Sequence, residues 1–179
     1  MRLFVALPLP EDVRASIAGM QDDPRVRVRW VPPSQLHLTL CFIGEWPENE
    51  RSPLIRSLQR IEASPFSLKL GDRGWLGRPP RILFVGVRPA EPVVALMHAV
   101  EAAVQSVGGS RSNRSAWPHI TVARAKNPPP FAVRRWRDAA MDPAGQACFS
   151  VGRFALYQSE LSAKGACYTE LASFGLGRS

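Results

Sequence analysis

The sequence predicts an α+β fold in which helices pack on a mainly antiparallel sheet. Apolar runs typical of strands alternate with helical stripes along the 179 residues. Two pairs of predicted strands, 66–70 with 81–87 and 149–157 with 166–172, have short connections. Short connections join antiparallel neighbours, because a parallel pair needs a long crossover. We interpret residues 1–179 as a single domain of two closely packed lobes.

In the first half of the chain, dense apolar runs predict strands, and apolar residues at helical spacing predict helices. The predicted strands are 3–7, 37–43 and 66–70, and the helical stripes are Val13, Ile17, Met20 and Leu54, Leu58, Ile61. Pro10 and two acidic residues open the first helix, because proline is tolerated in the first turn and acids suit the positive helix end. Pro32 and Pro33 predict an extended loop before the second strand.

The second half predicts four strands and two helices. The strands are expected at 81–87, 118–123, 149–157 and 166–172. Apolar residues from Val93 to Val107 mark the longer helix, which Gly108 and Gly109 end. A short helix is expected near 132–140. The basic loop at 109–115 could grip RNA phosphates or could be a solvated connection, and its composition leaves both open.

The chain carries a strong positive charge. Lysine and arginine number 23 against 15 aspartates and glutamates, which gives a formal net charge of +8. The lysines are Lys69, Lys126 and Lys164, and the other cations are arginines. Such a surface favours polyanionic partners, RNA or DNA before membranes. The alternative is a solvated cationic face in a proteome rich in arginine.

The cysteines and the N-terminal segment indicate a cytoplasmic protein. Cys41, Cys148 and Cys167 are too few for a disulfide framework and suit a reducing compartment. No Cys-x-x-Cys pattern or Cys/His cluster suggests zinc. The first apolar run is short, interrupted by prolines and followed by acids, so it predicts a buried strand rather than a signal peptide. No apolar stretch approaches the roughly 20 residues of a membrane span, so we expect no membrane partner.

Two short segments carry the chemistry that the sequence predicts. His37-Leu38-Thr39 and His119-Ile120-Thr121 share the pattern His-x-Thr, in a chain with three histidines and three threonines. A spacing of two places imidazole and hydroxyl on the same face of a strand. The copies lie 82 residues apart, which suggests two similar lobes that each contribute one strand to a shared cleft. Trp30 before the first copy and Trp117 before the second give this duplication weak further support.

Two imidazoles in one cleft can supply a general base and a general acid to one displacement, because imidazole titrates near neutral pH. Threonine hydroxyls can donate to the non-bridging oxygens of a phosphate. No metal is required where a cation also helps to neutralise the phosphate. Two alternatives stay open: histidines that merely occupy half-buried strands, and a two-histidine metal site, which lacks a third ligand at the usual spacing.

These residues resemble the 2H phosphoesterase superfamily and, more closely, the LigT-like RNA 2',3'-cyclic phosphodiesterase family, also called 2'-5' RNA ligases. The resemblance rests on residues 1–10, 29–33, 36–45, 80–87, 118–124 and 156–161, with Gly165 and Tyr168. It implies a bilobal fold with pseudo-two-fold symmetry, outer helices and a central cleft. It also implies hydrolysis of RNA 2',3'-cyclic phosphate ends to 2'-phosphomonoesters without a metal or other cofactor, with reversible 2'-5' ligation.

The resemblance further implies roles for five residues. It makes His37 the general acid that protonates the departing O3', and His119 the base that activates water. It assigns Thr39 and Thr121 to phosphate oxygens, and Arg124 to a phosphate contact. Simple alternation places Arg124 on the face opposite His119, so the strand must end or bulge before it. Otherwise Arg124 is a solvent-facing arginine.

Other residues have more than one interpretation. Cys41 shares the alternation of the first motif, so it lines the cleft or is a small buried strand residue. His98 lies off the apolar stripe of its helix and is expected on the surface. Trp30, Trp75 and Phe4 could stack on a base, but packing in the core is the favoured interpretation.

The sequence analysis therefore predicts a metal-independent phosphodiesterase acting on RNA with a 2',3'-cyclic phosphate end. We expect a monomer. The alternatives are a related enzyme acting on 2'-5' oligonucleotides or small cyclic nucleotides, and an RNA-binding module without turnover. The motif predicts the phosphate chemistry and leaves open what the phosphate is attached to.

Overall fold

Nine strands form one sheet in the computed structural model, which describes residues 1–21, 28–110, 116–125, 128, 130–139, 148–162 and 165–177. The strands are β1 (Arg2–Pro8), β2 (Arg29–Trp30), β3 (His37–Glu45), β4 (Phe66–Leu76), β5 (Ile82–Arg88), β6 (His119–Arg124), β7 (Phe149–Val151), β8 (Arg153–Ser162) and β9 (Gly165–Gly175). The helices are α1 (Glu11–Gly19), α2 (Arg51–Gln59), α3 (Glu91–Gln105) and α4 (Pro130–Asp138). The predicted loop residues 111–115, Lys126 and Lys164 lie outside the described residues.

The strand order is alike on the two sides of the sheet's centre. It runs β7-β4-β5-β6-β3-β1-β8-β9, and β2 adds to β6 beside β3. On one side β1 and β3 are antiparallel neighbours connected through α1, and on the other side β5 and β6 are antiparallel neighbours connected through α3. β3 and β6 meet in the middle. The predicted α+β fold with two related halves and a mainly antiparallel sheet is confirmed.

Several predicted boundaries differ from the structure. The predicted strand 66–70 continues to Leu76, and the predicted extended loop contains a 3-10 turn at Pro33–Gln35. The expected single strand at 149–157 is wrong, because the chain breaks at Gly152. β7 pairs with β4, whereas β8 pairs with β9. β7 is the strand at the β4 end of the sheet, and its side chains Phe149 and Val151 are buried in the core.

Buried residues from both halves belong to one apolar cluster. The helices contribute the predicted stripe residues Val13, Ile17, Leu54, Leu58, Val93, Leu96, Val100 and Val104, all of them buried. Met20 and Ile61 are partly buried against this cluster. One face of the sheet therefore packs on the helices, and its other face is left for a site.

Among the described residues, no helix combines the length and the apolar character that a membrane span requires.

Gly74 in β4 is required by the ring of Phe84, which lies opposite it on β5. A Cβ at residue 74 would overlap this ring, since Phe84 Cε1 would be 2.9 Å away. Phe84 is buried, and its ring meets the edges or faces of Trp117 and His119 at 4.5 and 5.8 Å. Because glycine has no side chain at residue 74, the Phe84 ring can occupy this space beside the second motif.

We expect Gly74→Ala to lower the free energy of unfolding by about 1–3 kcal/mol, because the added methyl group overpacks the site. Gly19→Ala is the matched control. A Cβ there meets nothing within 4 Å in α1, so it should raise the free energy of unfolding by about 0.5–1 kcal/mol. Urea unfolding of both variants measures the difference, and an equally stable Gly74→Ala variant would show that the Phe84 ring moves away freely.

Candidate active site

The two His-x-Thr segments lie on adjacent antiparallel strands, although 82 residues separate them along the chain. β3 meets β6 where Leu38 lies opposite Ile120. Both side chains are 0% exposed and belong to the core. Because successive residues of a strand point to opposite faces, the residues that flank Leu38 and Ile120 point away from the core. We call this opposite side of the sheet the site face.

The register places an imidazole opposite a hydroxyl twice on the site face. His37 lies opposite Thr121, and Thr39 lies opposite His119, as follows from the Leu38–Ile120 pair. Directly opposed side chains have Cβ atoms about 4.5–5.5 Å apart, and diagonal neighbours such as the two histidines are about 7–8 Å apart. All four side chains are half-buried. The structure thus brings together the four side chains that the motif predicted.

Both imidazoles are held by the same hydrogen bond. His37 Nδ1 lies 2.7 Å from the carbonyl oxygen of Gln35, and His119 Nδ1 lies 2.8 Å from that of Trp117. A carbonyl oxygen can only accept, so each Nδ1 carries a proton and donates it. With Nδ1 protonated, Nε2 is the nitrogen at which each ring gains or loses a proton. Two related halves therefore present two equivalent nitrogen atoms to one face.

Aromatic rings surround both imidazoles and limit their rotation. The ring centroids nearest to His37 are those of Phe4 at 5.0 Å and Tyr168 at 5.4 Å, and those nearest to His119 are Trp117 at 5.1 Å and Phe84 at 5.8 Å. The Trp117 indole stacks nearly parallel on His119, with an interplanar angle of 27°. Such packing keeps the imidazole planes in place.

The environment lowers the pKa of His37 below its ordinary value of 6.5. Burial of the ring is the largest cause, and the positive charges of Arg124 and His119 lower the pKa further. The hydrogen bond to the Gln35 carbonyl acts in the opposite direction, because it favours the protonated ring. His37 is therefore neutral at neutral pH in the free protein. The charge effect also shows that Arg124 acts electrostatically on the first motif.

A β-bulge in β6 turns Arg124 to the site face. β5 pairs with Thr121 and next with Ala123, so Val122 is an extra residue without a partner on β5. Val122 and Ala123 are both buried, whereas Arg124 is exposed. One extra residue reverses the alternation beyond it. The prediction that the strand must end or bulge before Arg124 is confirmed.

A matching bulge in β3 changes the place of Cys41. β1 pairs with Thr39 and next with Cys41, so Leu40 is the extra residue. Cys41 is buried in the core, and burial raises the pKa of its thiol to about 11. The interpretation of Cys41 as a cleft residue is wrong, and its alternative as a small buried residue is correct. The bulge places Phe42 on the site face instead, where its side chain is 58% exposed.

Phe42 and Trp117 are site-face residues that the sequence analysis missed. Trp117 is 42% exposed and accepts the His119 hydrogen bond through its carbonyl group. Gln35 lies two residues before His37, as Trp117 does before His119, so Trp117 corresponds to Gln35 and not to Trp30. The two tryptophans therefore do not support the predicted duplication. The signal for Phe42 was available, because Leu-Cys-Phe follows Thr39 at the spacing at which Val-Ala-Arg follows Thr121.

Trp30 and Trp75 pack against the core, as the favoured interpretation predicted, and Phe4 does not. Trp30 packs on Trp136 at 5.6 Å, and Trp75 is partly buried against the core. Phe4 lies opposite Phe42 on the site face, where its buried ring contacts that of His37. His98 is exposed on α3, as predicted.

A protein metal site needs at least three donor side chains close together. Within the described ranges, no three His, Cys, Asp or Glu side chains form a group that could hold a metal. Cys41, Cys148 and Cys167 are free thiols. The two-histidine metal site therefore gains no third ligand from this part of the chain. Metal independence stays a prediction.

Known proteins match this chain along nearly its whole length. A family model described as the 2'-5' RNA ligase superfamily matches residues 9–163. An RNA 2',3'-cyclic phosphodiesterase of Thermus thermophilus is 38% identical over 195 residues, covering 98% of this chain and 90% of that protein. One from Escherichia coli is 31% identical over 180 residues, covering 98% and 96%.

Solved structures agree with these relatives. A phosphoesterase crystal structure superposes with a TM-score of 0.80 and 29% identity, covering 99% of this chain and 98% of that one. E. coli LigT complexed with 3'-AMP superposes with a TM-score of 0.79 and 30% identity, at the same coverage. These matches confirm the LigT-like resemblance that the doubled motif indicated. With the family model matching most of its length, the chain belongs to the 2'-5' RNA ligase superfamily.

Proposed function

We propose that this chain hydrolyses the 2',3'-cyclic phosphate at an RNA end to a 2'-phosphomonoester, by general acid and base catalysis from two histidines. The observation that carries the proposal is the pair of imidazoles on one face of the sheet, each held by a hydrogen bond from Nδ1 to a backbone carbonyl. Two hydroxyls stand opposite them on the same face. The curated relatives named RNA 2',3'-cyclic phosphodiesterase support this substrate class.

In the proposed reaction, the phosphorus atom lies between the diagonal imidazoles. Nε2 of His119 takes a proton from water as the water oxygen forms a bond to phosphorus. The bond from phosphorus to O3' breaks, and Nε2–H of His37 gives its proton to the departing oxygen. Thr39 and Thr121 donate hydrogen bonds to the non-bridging oxygens, and both transfers follow ordinary acid–base catalysis. A 5'-hydroxyl in place of water would give a 2'-5' linkage.

The electrostatics of the site tie the proton on His37 to the presence of substrate. In the free protein, burial and the positive charge of Arg124 keep this ring neutral. A cyclic phosphodiester brings a negative charge beside the imidazole, which favours its protonated form. Substrate binding would therefore load the general acid, and Arg124 would neutralise the phosphate. No metal takes part in this scheme, and the monomeric state and cytoplasmic location stay predictions.

Replacing either histidine should abolish most turnover. We expect His37→Ala and His119→Ala each to lower kcat by about 10²–10⁴-fold on an oligoribonucleotide with a 2',3'-cyclic phosphate end. The double variant should lose little more, because acid and base act in one step. His98→Ala is the matched control, since His98 is exposed on α3, and it should keep full activity. Near-normal turnover by either single variant, with normal circular dichroism, contradicts the mechanism.

Chelation should leave the reaction unaffected. We expect the purified protein to keep its rate after dialysis against EDTA, because both proton transfers use imidazole groups and the phosphate charge is met by Arg124. The measurement compares initial rates before dialysis, after it, and after adding back Mg²⁺, Mn²⁺ or Zn²⁺. Loss of activity that one of these ions restores would favour the two-histidine metal site.

The pKa of His37 should respond to nearby charge in a defined direction. In the free protein, the imidazole should titrate below pH 6.5 in an NMR pH titration, as its burial requires. Arg124→Gln should raise this pKa, because a positive charge that opposes protonation is removed. A bound nucleoside 2'-monophosphate should raise it as well. A pKa that stays the same in both experiments would show that neither Arg124 nor the phosphate lies close to His37.

A further inference from the structure

A second arginine lies beside Arg124 on the site face. The two-residue strand β2 pairs with the end of β6, with Arg29 opposite Arg124 and Trp30 opposite Ala123. Ala123 is buried, and Trp30 packs against the core. Residues directly opposite in an antiparallel pair point to the same face. Arg29 precedes Trp30 and Arg124 follows Ala123, so this second pair points to the opposite side, the site face. Both arginine side chains are exposed.

Polar contacts at the β6 bulge hold this arginine pair together. The Val31 amide donates to the Val122 carbonyl at 2.9 Å, which joins β2 to the bulge residue. The Gln21 side chain donates from Nε2 to the carbonyl oxygens of Val31 at 3.0 Å and Val122 at 3.1 Å. The turn after α1 thus ties β2 to the bulge that turns Arg124. The position of Arg29 beside Arg124 is built into the fold.

The arginine pair is an unfavourable arrangement without an anion. Like charges directly opposite on neighbouring strands destabilise the pair. Among the described residues, no carboxylate is recorded within salt-bridge distance of Arg29 or Arg124. A bound phosphate would remove the repulsion, because guanidinium groups bind phosphate oxygens in a bidentate manner.

One cyclic phosphate does not use both arginines. It carries a single negative charge, and Arg124, two imidazoles and two hydroxyls are already placed to meet it under the proposed function. We propose that Arg29, beside Arg124, forms a subsite for the phosphodiester that precedes the terminal cyclic phosphate, while Arg124 meets the cyclic phosphate itself. The subsite rests on the proposed function for its place relative to the reaction. It makes an oligoribonucleotide end, rather than a mononucleotide, the preferred substrate.

The test compares two substrates that differ by one upstream phosphodiester: a nucleoside 2',3'-cyclic monophosphate, and a dinucleotide with the same cyclic end. The wild-type protein should favour the dinucleotide in kcat/KM. Arg29→Gln should lower this preference by about tenfold, as expected for loss of a charge-assisted hydrogen bond. Arg56→Gln, an exposed arginine on α2, is the matched control and should keep the preference. An unchanged preference in Arg29→Gln overturns the subsite, even where both rates fall.

A binding experiment tests the subsite independently of turnover. The probe is a fluorescent dinucleotide that ends in a 2'-phosphate, titrated at several KCl concentrations. Arg29→Gln should make log Kd depend less steeply on log [KCl], because one phosphate contact is lost. Arg29→Lys, which keeps the charge, and Arg56→Gln should keep the wild-type slope.

The two experiments separate the two proposals. Absence of turnover of both substrates by the wild-type protein overturns the proposed function, while the salt slope still decides whether Arg29 binds a phosphate. A slope that Arg29→Gln leaves unchanged overturns the subsite, whatever the turnover. Arg29→Lys also guards against a folding defect of the glutamine variant, since a slope lowered equally by both variants would point to a structural effect and overturn the charge-based subsite.

Discussion

The arrangement of the site depends on one cross-strand contact, that of Leu38 with Ile120. Each residue belongs to a different half of the sheet, and both are completely buried. A register slip of one residue would place the imidazoles and hydroxyls in the core and these apolar side chains in water. Burial of each side chain is worth about 1.5–3 kcal/mol. The apolar middle residue of each motif therefore fixes, through the hydrophobic core, the relative position of the histidines and threonines on the other face.

The two bulges place chemically different side chains at equivalent positions of the two halves. In each half, the residue after the motif threonine is the extra one, so the third residue after that threonine returns to the site face. In β3 this residue is Phe42, and in β6 it is Arg124. The backbone symmetry thus gives equivalent positions, while the side chains differ between an aromatic ring and a guanidinium group. A face with two equivalent imidazoles becomes directional, because one end offers a ring and the other offers positive charge.

The local features of this fold could be predicted from the sequence, and the pairings between distant segments could not. The spacing of His-x-Thr determines that both side chains share a face, since the period of a strand is two. Whether Arg124 shares that face depends on the bulge. Arg124 is an odd number of residues from His119, so the sequence allowed either a bulge or a solvent-facing arginine. Cys41 gave no such indication, because a small apolar residue suits either face. The break at Gly152 was missed because β7 gains its partner from the distant β4 edge. The position of Arg29 beside Arg124 could not be predicted, since a two-residue strand has no periodicity.

The charge of the whole chain and the charges at the site act over different distances. A formal net charge of +8 raises the rate at which a polyanion meets the protein. At physiological salt, however, exposed charges more than about 8 Å apart are largely screened from each other. The charges that lower the pKa of His37 are those of Arg124 and His119, both carried by the neighbouring strand β6. Most of the basic residues can therefore attract RNA but cannot control a proton at the site. That control depends on the few cations that the β3–β6 register and the β6 bulge bring to one face.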